Sequence, residues 1–222
     1  MNKLITALII AALIAASVAF VVAYDIPLTA PGSFDGTDAG QAAAYCDEAY
    51  NEYISVVGEA SRGDVAALMV ELSKLPDSLQ KSFVSGNGMV YLTSFPLGEI
   101  LNTYHGMSYQ PNERATGFFI VNPEGFPEIW LTSSTGAIAA ATLHEFGHYF
   151  DFLNGWISAG DLFLPIYEAE RHGFKNHITG EEHFTSNAAE YFAEAFACFI
   201  DSPDALKEHC PETYNFFEFL HF

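Results

Sequence analysis

Basic residues are scarce in this chain: 8 Lys and Arg stand against 28 Asp and Glu, a formal net charge of −20 at pH 7. With no basic stripe to neutralise phosphates, nucleic acid is excluded as a partner, and an anionic membrane surface repels the chain. Cysteine is scarce as well. Cys46, Cys198 and Cys210 are too few for a disulfide scaffold, and none has the CxxC spacing of a cysteine metal site. Buried thiols are the simpler reading, although export would permit one bridge with a thiol left over. Internal repeats and long charge blocks are also missing, which excludes a solenoid and a charged tail. What is abundant is apolar surface. Half of the 222 residues are hydrophobic, with 20 Phe and 11 Tyr, so most of the chain has the means to build a core and intrinsic disorder is excluded for it.

Residues 4–23 carry no charge and follow Lys3, the layout of either a signal peptide, with a small-residue cleavage site ending at Ala23, or an N-terminal membrane anchor. Both readings put everything after Tyr24 outside the cytoplasm, secreted or tethered to the surface, with the anchor as the only membrane contact. Residues 24–40, rich in Pro, Gly, Asp and Thr, read as an extended connector, and 41–222 as the working domain.

Within that domain apolar residues recur at helical intervals over 41–60 and again over 64–75, where Pro76 stops them. Residues 89–93, 117–121 and 128–132 read as strands, the last two joined through Asn122-Pro123-Glu124-Gly125. A long apolar helix begins at Ala137 and stops at Asn154-Gly155; a second spans 187–200 and ends before Pro203, and a Phe-dense tail follows. The fold class is therefore α+β and helix-rich, with a small sheet and two helices that carry the chemistry.

The first of these helices contains His144-Glu145-Phe146-Gly147-His148, the HExxH pattern. Residues four apart on a helix are separated by about 40° around the axis and one turn along it, so both imidazoles face one metal ion. Glu145 stands beside them, where a carboxylate can take a proton from zinc-activated water. A catalytic zinc site needs a third protein ligand. The second helix offers Glu190 and Glu194 on one face of the otherwise apolar Ala188-Ala189-Glu190-Tyr191-Phe192-Ala193-Glu194. Glu190 is preferred as the ligand, although the spacing leaves either glutamate open, and the other can accept a hydrogen bond from the outer ring nitrogen of a ligand histidine.

HEFGH followed by EYFAEAF resembles the zinc-protease domain of the anthrax lethal factor family, which includes small secreted proline-proline endopeptidases. The resemblance implies a gluzincin-like fold, one catalytic Zn2+ held by His144, His148 and Glu190, water activation by Glu145, and a peptide or protein substrate. It also implies an edge strand, expected at residues 128–132, that aligns the substrate. One position departs from the family pattern. Seven residues before the ligand glutamate, where the family commonly has an oxyanion-stabilising tyrosine, stands His183, which can serve the same role in a suitable protonation state. His172 and His177 are expected on the surface. The function expected is thus a zinc metalloendopeptidase; the alternatives are a catalytically impaired zinc-binding protein that keeps the fold, and an adhesin-like ectodomain in which HExxH is incidental.

Overall fold

The computed structural model describes residues 53–106 and 115–220. The leader, the connector, Cys46 and most of the first expected helix lie outside the described residues.

Four strands form one sheet: β1 (Ile54–Val57), β2 (Met89–Thr93), β3 (Gly117–Val121) and β4 (Pro127–Thr132), in the order β1-β2-β4-β3. The first three in that order run parallel, and β3 closes the sheet antiparallel to β4. Two expectations change here. Residues 54–57, expected at the end of a helix, form β1, because Ile54, Val56 and Val57 pair with β2 and this tertiary contact overrides a weak helical periodicity. Residues 128–132 are not an edge: β4 lies between β2 and β3, and among the described residues the edge next to the long helix is β3.

The β3–β4 hairpin forms as the turn residues dictate. The Asn122 side chain accepts from the Glu124 and Phe126 N–H groups, and Gly125 supplies a φ of 90° that side chains rarely adopt. Helices α1 (Arg62–Lys74) and α2 (Asp77–Ser85) follow β1; α3 (Leu97–Tyr104) follows β2. Ser61 starts α1 with a capping box, accepting from the Asp64 N–H while the Asp64 carboxylate accepts from its own.

After the sheet come α4 (Thr135–Leu153), α5 (Leu164–Phe174), α6 (Ala188–Asp201), α7 (Pro203–His209) and α8 (Pro211–Leu220). Ser134 caps α4 and Asn187 caps α6, so both long helices begin where a side-chain oxygen satisfies their first free N–H groups. The Phe-dense tail is α8, which buries Phe217 against Phe192 and Phe196.

The main core lies between one face of the sheet and α4, with Val90, Leu92, Ile129 and Leu131 facing Phe83, Phe146 and Tyr149. Leu97, Ile100 and Trp130 form a smaller cluster on the opposite face. Cys198 and Cys210 are buried free thiols, and burial pushes them up to about 12 and about 11 respectively, which makes both inert.

Candidate metal centre

Helices α4 and α6 cross at Gly147, where a β-carbon would meet the Ala193 carbonyl oxygen at 2.6 Å and its Cα at 2.7 Å. That close approach sets the two helix faces against each other. His144 Nε2 lies 3.3 Å from Glu190 Oε2, and His148 Nε2 lies 3.7 Å from Glu190 Oε1. The ligand atoms of His144, His148 and Glu190 all fall within 4.8 Å of one another. Two imidazole nitrogens and one carboxylate oxygen suit a borderline divalent cation, and the set fits a metal.

The outer nitrogen of His144, Nδ1, donates to Glu194 Oε2 at 2.9 Å. Glu190 faces both histidines, and Glu194 meets one ring from behind. Phe184 packs against the same ring at a centroid distance of 5.4 Å. His144 is itself buried, which opposes its charged form, yet the Glu190 and Glu194 carboxylates overcome this and raise its pKa to about 10. Burial likewise pulls Glu190 upward, but His144 and His148 bring it well below the ordinary carboxylate range. The cluster is therefore a tightly paired set of imidazoles and carboxylates.

Glu145 is buried beside the cage, with 5% exposure. Burial raises its pKa above the usual carboxylate value, the histidine charges and the Phe119 N–H pull it down, and Glu190 raises it further. The Phe119 hydrogen bond and Gly117, whose added β-carbon would sit 2.9 Å from Glu145 Oε1, were not legible in the sequence. They depend on β3 lying against α4, for which alternation alone gives no signal.

His183 is 69% exposed at its side chain, and its Nε2 lies 3.4 Å from Glu190 Oε2. It is thus at the rim of the cage. His172 and His177 are elsewhere on the surface, and His177 stacks on His209 with centroids 4.7 Å apart.

A small sheet with an antiparallel edge strand, an HExxH helix beneath it and a second helix bringing a glutamate to the same point define a zincin-like fold. A family model described as the anthrax toxin lethal factor, N- and C-terminal domain, matches residues 131–220, which span both α4 and α6. Among solved structures, the chain is similar to the Pro-Pro endopeptidase from Paenibacillus alvei, with a TM-score of 0.62 and 21% identity over 78% of this chain and 99% of that one. The family model falls on the segment that carries HEFGH and EYFAEAF, and the structural likeness supports the fold. No curated protein sequence gives a significant match.

Proposed function

We propose that this chain is an exported zinc metalloendopeptidase, secreted or tethered at the surface, that hydrolyses peptide bonds in a peptide or protein substrate. The observation that carries the reading is the meeting of His144, His148 and Glu190 within one ion's reach, beside a buried carboxylate that takes no part in holding the ion. A purely structural metal has no use for Glu145.

His144, His148 and Glu190 would hold the ion, with Glu194 fixing the His144 ring. When bound, zinc supplies Lewis acidity that makes water a nucleophile near neutral pH and polarises the scissile carbonyl. Glu145 accepts the proton of the attacking water and passes it to the leaving amine, and the Phe119 N–H keeps its carboxylate aimed. His183, at the rim with its Nε2 3.4 Å from Glu190 Oε2, would donate to the developing oxyanion in place of the family's tyrosine. β3, an edge strand of the described sheet beside the base, would offer an extended substrate its outward backbone groups other than the Phe119 N–H, which Glu145 already holds.

The rival reading, a zinc-binding protein that has lost turnover, is favoured by one observation: an exposed histidine stands at the tyrosine's position. One experiment separates the two. Zinc content and cleavage of a diverse peptide library are measured on the purified protein, with a chelator control. About one zinc per chain together with chelator-sensitive cleavage supports the peptidase; zinc with no cleavage supports the rival; a folded protein that takes up no zinc ends both.

Two further outcomes are expected. Glu194→Ala lowers zinc affinity by about 10- to 100-fold, because the His144 ring loses the acceptor that orients it; competition with a chromogenic chelator measures this, and unchanged affinity would remove Glu194 from the site. Zinc binding also displaces the His144 proton, so affinity rises with pH until His144 deprotonates by itself at about 10. Near neutral pH, calorimetry in buffers of different ionisation enthalpy should register release of about one proton. The metal-free fold has the opposite dependence. Its stabilisation by charged His144 is complete below the unfolded histidine pKa and is lost as the pH climbs through about 10.

A further inference from the structure

The register of β3 shows which way a substrate would run. Thr132 N–H donates to the Thr116 carbonyl, and Asn122 N–H to the Phe126 carbonyl, each at 2.9 Å. Even-numbered residues of β3 therefore exchange hydrogen bonds with β4, and the backbone groups of Gly117, Phe119 and Val121 face away from the sheet. Gly117 lies against Glu145 and Ala141, whereas Phe119 packs on Tyr149 and Phe152 further down α4. β3 thus runs from the base toward the C-terminal end of α4.

An aromatic cluster waits at that end. Trp156 lies 6.4 Å from Phe119 and 5.6 Å from Phe152, measured between ring centroids. Its backbone has a φ of 61°, an unfavourable conformation for a bulky residue. The turn is tied down from inside. Trp156 N–H donates to the Asp151 carbonyl at 2.8 Å, and the fully buried Asp151 carboxylate accepts from the Ser158 N–H at 2.8 Å and its hydroxyl at 2.5 Å. All this anchoring leaves the indole 48% exposed, next to Leu153, which is also exposed.

We infer that Trp156, Phe119 and Phe152 form an apolar subsite for the substrate segment preceding the cleaved bond, and that it selects a bulky apolar or aromatic side chain there. The inference rests on the peptidase reading above. A peptide joining β3 antiparallel, the stronger pairing per residue, runs opposite to the strand and pairs with the outward groups of Gly117 and Val121 and with the Phe119 carbonyl, the Phe119 N–H being held by Glu145. Its cleaved bond lies by Glu145 and Gly117, and its earlier residues pass Phe119 and Trp156. Because Phe119 is two positions along β3 from Gly117, the side chain received is about two residues before the bond. Residues directly opposite in an antiparallel pair point to the same face, so that side chain is directed toward α4 and the cluster.

The test takes a peptide cleaved by the wild-type protein and places Phe or Gly two residues, and in a second pair three residues, before the bond. The ratio of kcat/KM for the Phe and Gly peptides is expected to favour Phe and to fall about tenfold in Trp156→Ala, with Trp156→Phe retaining most of it. A ratio within one protein is insensitive to partial misfolding. A second readout needs no turnover. The chain has only two tryptophans, and Trp130 is buried, so binding of the Phe peptide to Glu145→Gln should shift the Trp156 emission to the blue, and the shift should vanish in Glu145→Gln with Trp156→Phe. Cleavage with a ratio unaffected by Trp156→Ala overturns the subsite alone; failure of the wild type to cleave any peptide overturns the peptidase reading and takes the subsite with it.

Discussion

Replacing Glu145 by Gln is expected to lower kcat/KM by about a thousandfold, within the range that a positioned general base contributes, while zinc content stays at the wild-type level. The substitution is close to isosteric, and the Gln carbonyl oxygen can still accept from the Phe119 N–H, so the local packing between β3 and α4 persists. What is lost is the capacity to take a proton from water and return it to the amine. Because Glu145 does not belong to the set of ligand atoms, metal binding gives an internal control. Zinc retention with turnover abolished assigns the base; turnover retained in full would mean that another group moves the proton.

The second large effect is on the fold. Gly147→Ala is expected to destabilise the protein by about 2 kcal/mol, even though alanine is favoured over glycine inside a helix by about 1 kcal/mol. The new methyl would occupy space already filled by the Ala193 carbonyl oxygen, Cα and carbonyl carbon, at 2.6, 2.7 and 3.0 Å. These are backbone atoms, which cannot turn aside as a side-chain tip can, so α4 and α6 must separate. Separation widens the 3.7 Å gap between His148 and Glu190, and weaker zinc retention should accompany the lower midpoint of thermal unfolding. A Gly147→Ala protein as stable as wild type would show that the helices do not approach this closely.

Gly147 illustrates how unevenly the site can be read. The spacing of His144, Glu145 and His148 is a property of one helix turn, so the sequence alone carries it. The middle glycine looks like a flaw in that helix until the opposite helix is in place. Glu190 and Glu194 are similar: one apolar helix with two acids announces a buried cation, but which acid faces the histidines depends on the rotation of α6 against α4. His183 stands seven residues before Glu190, and its position 3.4 Å from that carboxylate follows from the short helical turn His183–Thr185 ahead of Asn187, the residue that caps α6.

Ile54–Val57 carries residues compatible with a helix or a strand, and the β2 strand alongside decides for the strand. The apolar run and the turn before it mark residues 128–132 as a strand but not its neighbours, and only the pairing of β4 with both β2 and β3 makes β3 the edge.

Local chemistry was therefore written in the sequence: the two long helices, the hairpin turn, the HExxH spacing and the acid pair each depend on residues within a few positions of one another. The tertiary structure decided what depends on contacts between distant segments. It placed Glu190 opposite the histidines, Glu194 behind His144, Phe119 N–H on Glu145, and Trp156 at the end of the open strand. Short-range periodicity specifies which face of an element is apolar, but the partner for that face, and the distance at which it docks, are set by the packing of the whole core.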